Sequence, residues 1–246
     1  MNRTQARLRR LVRPPYGASL GTAVCAVLCV GGVAALHATR RDLDPMQHVL
    51  SEYANGPLGV VMTAVFYAAG VGCAALGWRL RTAVSWRGVT AAVPALLVAA
   101  GVGMVVAGLF EVGLPTAPET RAETVHSLAS IGAFVALITA MALFAWACGH
   151  DPDWAGFRPV ATALASVAVI TAVISPLADR TPWTGTAQRV LAGAVVLWLL
   201  LTALRVRAVA FAGRVGEDGD ATRDEVPRRQ RRRRPPSRYT IGPRPR

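Results

Sequence analysis

Along the chain, long uncharged apolar runs alternate with short polar clusters, and the runs fall at residues 17–36, 55–78, 88–110, 127–148, 159–178 and 186–204. Each is close to the ~20 apolar residues that an α-helix needs to cross a hydrocarbon core of ~30 Å. The pattern predicts an all-α fold, a polytopic bundle of six transmembrane helices. The first run follows a basic segment, as in a signal peptide, but it is longer than a typical signal-peptide core, and Leu36-His37-Ala38 is a poor cleavage site. It reads as an uncleaved helix. In the last run only the stretch 190–204 is uncharged between Arg189 and Arg205, too short to cross. That helix is therefore expected to begin near Thr184 and to carry Arg189 about one turn inside, where a guanidinium snorkels outward or pairs with a carboxylate.

Composition agrees with the pattern. With 53% hydrophobic and 17% charged residues and a mean hydropathy of +0.38, the chain is too apolar for a water-soluble domain. All 27 basic residues are arginine. Both termini lie on one side of a six-span chain. That side carries the arginines before the first span, Arg79, Arg81, Arg87, Arg158 and those from Arg205 onward; the other carries only Arg40, Arg41, Arg121, Arg180 and Arg189. The positive-inside rule then predicts a multi-pass protein of the plasma membrane with both termini cytoplasmic. Trp78, Trp86, Trp146 and Trp154 would sit at the inner interface and Trp183 at the outer one, as an aromatic belt.

The organisation expected is a basic N-terminus over 1–16, a transmembrane domain over 17–212 and a tail over 213–246. The tail segment VPRRQRRRRPPSRYTIGPRPR is rich in Arg and Pro, cannot bury a core and is expected to be disordered. Its expected partners are anionic lipid headgroups, at ~1 kcal/mol per arginine held near the surface. Nucleic acid is less favoured, because a tethered polybasic tail meets the inner leaflet first. The four cysteines fall within the spans, with neither disulfide nor zinc spacing, and read as small buried hydrophobes. No metal or other cofactor is expected.

The polar residues of the other face come from loops far apart in sequence. His37, Asp42, Asp44, His48, Ser51, Glu52 and Tyr53 precede the second span, and Glu111 ends the third. Glu119, Glu123 and His126 precede the fourth, while Asp179 and Arg180 follow the fifth and Gln188 and Arg189 open the sixth. By depth, the carboxylates nearest Arg189 are Glu52, Glu111 and Asp179, and an ion pair among them would tie helix ends together. Ser51 reads as a helix N-cap, its hydroxyl accepting from the first orphan amides. His126, Glu52 and Glu111 are the candidates for acid–base chemistry. No HExxH spacing and no Gly-x-Ser-x-Gly turn accompanies them. Small residues recur every four positions, as Ala91, Ala95, Ala99, Gly103 and Ala107 in the third span and Ala64, Ala68 and Gly72 in the second. These stripes predict close helix contacts.

SEYA-x-GPLG leading into the second span, GLFEVGLP closing the third, ETVHSLAS opening the fourth and Gln188-Arg189 opening the sixth resemble the bacterial family called domain of unknown function 998. In outline, that family is similar to the Frag/DRAM/Sfk-like six-helix membrane proteins. The resemblance covers roughly residues 17–207, and it implies Ser51, Glu52, Tyr53, His126, Gln188 and Arg189 as site positions. Where the family shows an aspartate after the proline of the third loop, this chain has Thr116 and Ala117. Two functions follow as expectations. One is a membrane protein of unassigned activity whose cluster of His48, Ser51, Glu52, Tyr53, Glu111, His126, Asp179, Gln188 and Arg189 ties the bundle and binds a lipid headgroup or an extracytoplasmic partner. The alternative is a hydrolase-like lipid-modifying enzyme with an outer-leaflet site on His126 and Glu52 or Glu111.

Overall fold

A computed structural model of the chain describes residues 17–84, 86–110, 112–113, 120–178 and 181–232, with the helical backbone alone at 17, 18, 178 and 212–232. Among the described residues six α-helices follow one another: α1 (Gly17–Thr39), α2 (Gly59–Ala83), α3 (Val93–Leu109), α4 (Arg121–Cys148), α5 (Arg158–Ala178) and α6 (Thr184–Arg232). No strand occurs among the described residues. All six contain a segment long and apolar enough to cross a membrane, as the runs predict.

The helix starts differ from the apolar runs for local reasons. α2 begins at Gly59 and not at residue 55, because Gly56 (φ +72°) and Leu58 (φ +64°) turn the chain through the left-handed region on either side of Pro57. α4 begins earlier than its apolar run, because the Thr120 hydroxyl accepts from the Glu123 amide at 3.1 Å and caps the helix. α6 begins at Thr184, where the length argument puts it. α5 runs through Pro176 and ends at Ala178, within two residues of the ring that ends its hydrogen bonding. The chain divides into two units, 1–207 and 208–246. In the second, the backbone of α6 is helical to Arg232, and residues 233–246 of the expected disordered tail lie outside the described residues.

In the first unit α1 packs on α2, α2 on α3, α3 on α4 and α4 on α5. The α2–α3 contact is close enough to need glycine: a Cβ on Gly101 would stand 2.5 Å from the Gly70 carbonyl oxygen, and one on Gly70 would stand 2.7 Å from that of Gly101. The stripes of small residues are only partly the contact. Ala91, Ala95 and Ala99 face outward, whereas Val93, Leu97, Ala100, Gly101 and Ala107 are buried. A repeat of four on a helix of 3.6 residues per turn drifts ~40° per step, so a line that leaves Ala91 on the lipid side reaches the neighbouring helices only at Gly103 and Ala107. α6 joins through Val196, which packs on the buried group of Cys29, Leu36, Tyr53, Met62 and Val65, and through Trp198, edge-on to Phe144 of α4. The aromatic belt needs one correction. Trp78, Trp146 and Trp183 are exposed, but Trp154 is fully buried and its indole N–H donates to the Ala83 carbonyl at 3.0 Å, which draws it into the bundle.

Candidate functional site

The loop between α1 and α2 lies against the first turn of α6. The Thr186 amide donates to the Met46 carbonyl at 3.1 Å, and the Leu50 amide donates to the Gln188 side-chain oxygen. Gly185 permits this approach, since a Cβ there would stand 2.4 Å from the His48 carbonyl oxygen and 2.6 Å from that of Pro45. Gln188 thus spends its amide on backbone, satisfying a donor that the 3-10 turn Leu50–Ala54 leaves unpaired.

Arg189, one turn further along α6, gathers the cluster. Its Nη1 donates to the His48 carbonyl at 2.7 Å and to the Gly185 carbonyl at 3.0 Å, and its Nε donates to His37 Nε2 at 3.1 Å. The guanidinium carbon stands 5.5 Å from the centre of the Tyr53 ring. Tyr53 is buried, its hydroxyl donating to the Leu43 carbonyl at 3.3 Å, and His37 meets the same ring edge-on at 5.4 Å. The remaining nitrogen, Nη2, is buried and has no hydrogen-bond partner.

Glu52 does not take the part expected of it. Its carboxylate accepts from His48 Nδ1 at 2.5 Å and pairs with that ring, and it makes no ion pair with Arg189 within 4 Å. The direct Glu52–Arg189 pair is therefore replaced by a relay: Glu52 fixes the side chain of His48, and Arg189 takes the backbone of the same residue. A 3-10 turn explains the geometry, because it points Glu52 back along the loop. The cap expected of Ser51 falls instead on Val49, which has no side-chain hydrogen bond, and Ser51 lies inside the turn. Glu111 and Asp179 lie outside the described residues.

His126 is placed elsewhere. It is buried, its Nδ1–H donates to the Ala107 carbonyl at the end of α3 at 2.8 Å, and its ring stands edge-on to Phe66 at 5.5 Å. The hydrogen bond fixes the proton on Nδ1 and ties α4 to α3. Nearby, the Glu123 carboxylate occupies the space a Cβ on Gly113 would need. The segments GLFEVGLP and ETVHSLAS thus meet each other, while SEYA meets Gln188-Arg189 through its neighbours His48 and Leu50. Among the described residues no three His, Cys, Asp or Glu side chains converge as a metal would require.

Sequence reasoning missed Arg40. This residue is buried, and its guanidinium grips Asp42 through Nε and Nη2 at 2.8 to 3.2 Å. Its Nη1 donates to the carbonyls of Asn55 at 2.6 Å and Pro57 at 3.2 Å. The hydrogen bond from Arg40 holds the Asp42 carboxyl below the usual carboxylate range. The available signal was a charge directly after an apolar run, opposite an Asn-Gly-Pro turn whose carbonyls lack helical partners. His37 was visible as a polar residue of this face, but nothing in its spacing pointed to Arg189.

A family model described as protein of unknown function (DUF998) matches residues 23–205, well over half of the chain. No curated protein and no solved structure matches it.

Proposed function

The chain belongs to the DUF998 family, proteins of unknown function, and we propose that it is a multi-pass plasma-membrane protein whose Arg189 cluster binds an anionic headgroup. Both termini are cytoplasmic in this reading, which turns the cluster to the outer leaflet. The arginine asymmetry across the spans supports the orientation. One observation carries the binding role: Arg189 brings a full positive charge into the first turns of an apolar span, its hydrogen-bond and ring partners are carbonyls, an imidazole and Tyr53, the carboxylates of Glu52 and Asp44 act on it only from a distance, and its Nη2 is buried and unbonded. A guanidinium in that position attracts an oxyanion, because phosphate oxygens match its paired donors. The Arg-rich tail adds a second, weaker contact with anionic lipids of the inner leaflet.

The hydrolase reading has less support. His126 commits Nδ1 to Ala107, and Glu52 is engaged by His48, so neither is aimed at a shared reacting atom.

Native mass spectrometry of the protein released from phosphatidylglycerol nanodiscs tests the binding role. Wild type should retain lipid that Arg189→Gln loses, and equal retention by both would overturn it. A cysteine at Pro118 that fails to label from outside intact cells would overturn the orientation.

A further inference from the structure

The Arg189–His37 contact has a chemical requirement. A guanidinium nitrogen only donates, so the His37 Nε2 facing it at 3.1 Å must hold a lone pair, and His37 is the neutral imidazole with its proton on Nδ1. The groups around His37 are known from each packed element. α6 contributes Arg189, and the 3-10 turn contributes the Tyr53 ring with Glu52 engaged by His48. At the end of its own helix, Arg40 is engaged by Asp42. Asp44, in the loop after α1, acts on Arg189 from a distance, but its oxygens accept from the Met46 amide and the Gln47 side chain, and no carboxylate among the described residues hydrogen-bonds to His37 or Arg189. Protonation of His37 alone would set two positive groups face to face, one N–H against another, beside the unbonded Nη2 of Arg189.

An oxyanion reverses that balance. Its oxygens accept from the new Nε2–H of His37, from Nε of Arg189, which gives up its acceptor, and from the idle Nη2. We infer that His37 and Arg189 form one proton-coupled oxyanion receptor: binding of a phosphate-like or sulfate-like group takes up a proton on His37, and the empty site is held shut by the Arg189–His37 hydrogen bond. This rests on the anion-binding reading above and adds the second residue and the proton.

Linkage sets the size. If one proton is taken up per anion, affinity rises as pH falls, by up to about tenfold per pH unit above the pKa of His37 in the empty site, and levels off below it. The probes are inorganic sulfate and the phosphodiester of phosphatidylglycerol, whose charges stay constant across this range. The full chain in zwitterionic nanodiscs would be titrated with sulfate at pH 7.5 and 5.5, and phosphatidylglycerol retention would be measured at the same two values. His37→Gln keeps an acceptor for Arg189 but cannot be protonated; His37→Asn serves if thermal unfolding shows that the glutamine variant does not fold.

Binding of either probe that tightens at least tenfold at pH 5.5 in wild type, and is flat and weak in the His37 variant, supports the receptor. Sulfate alone would identify a free oxyanion as ligand, phosphatidylglycerol alone a lipid. Binding equal at both pH values overturns the proton coupling and leaves the anion-binding reading standing. Tightening that survives in the variant overturns the assignment to His37, and absence of binding by both probes at both pH values overturns both readings.

Discussion

At the end of the bundle bearing residues 149–157, the helices are joined by rings. Phe144 meets Trp154 and Trp198 edge-on, each at 5.4 Å, and the Trp154 N–H reaches across to Ala83. At the end bearing residues 40–58 they are joined by cations on backbone oxygens: Arg189 holds His48 and Gly185, and Arg40 holds Asn55 and Pro57. The first device is a matter of buried area and ring geometry, worth ~0.5–1.5 kcal/mol per aromatic pair beyond burial, and it is indifferent to protonation. The second satisfies carbonyls that a loop at membrane depth would otherwise leave unpaired, yet leaves a donor idle at Nη2. The ring end also has one cation on a backbone oxygen, Arg205 Nη2 on the Asp153 carbonyl at 2.6 Å, with its Nε buried and unbonded; what it lacks among the described residues is an imidazole facing that cation, so the two ends should respond differently to mutation, salt and pH.

The largest effect is expected where the rings meet. Trp154→Ala empties the space of a fully buried indole and should cost about 3–5 kcal/mol, measured by reversible unfolding in detergent micelles. The loss should be the same at pH 5.5 and 7.5. A pH-dependent loss would mean that Trp154 acts through the neighbouring charges, such as buried Asp151, and not through packing.

Arg189→Ala should come next, at about 2–3 kcal/mol, since hydrogen bonds to a charged group are lost and two carbonyls lose a donor. A double-mutant cycle locates its partners. Coupling with His37→Ala should exceed ~0.5 kcal/mol, and coupling with Glu52→Gln should be smaller, because Glu52 acts through the side chain of His48. The reverse ranking would restore the direct Glu52–Arg189 pair and remove the relay.

How much of this could be read from the sequence divides along the same line. The six spans, the start of α6 at Thr184 and the inward depth of Arg189 follow from length and charge alone, since a hydrocarbon core imposes one dimension on every helix. The partners of Arg189 do not follow, because they are carbonyls and an imidazole, and a carbonyl has no letter in the sequence. Carboxylates are the visible candidates, Glu52 with Glu111 and Asp179 among them, whereas the partner of Glu52 is His48. Arg40 is hidden for the same reason, and Trp154, in the turn between α4 and α5, is expected at the interface because its depth says nothing of which way the side chain turns.

Gly185→Ala should cost about 1–3 kcal/mol, because the clash is with backbone oxygens of His48 and Pro45 that cannot step aside as a side chain would. It should also raise proteolysis within residues 40–58 while leaving the Trp154 end protected. Equal loosening of both ends would show that the loop and the helix ends melt as one unit.

The smallest effect concerns the turn that sets the start of α2, where two residues with positive φ differ in what they lose. Gly56 (φ +72°) is free of strain, and Leu58 (φ +64°) is not; a left-handed conformation costs an L-residue ~1–2 kcal/mol. Gly56→Ala should therefore destabilise by about 1 kcal/mol, even though its Cβ would find room 3.7 Å from the Arg40 guanidinium. Leu58→Gly should do the opposite and stabilise by about 0.5 kcal/mol, the released strain exceeding the entropy that a glycine gives to the unfolded chain. Leu58 is exposed, so little packing is at stake. If Leu58→Gly destabilised instead, the leucine side chain would be holding the turn against the lipid, and the cation end would owe part of its closure to the apolar contact that distinguishes the other end.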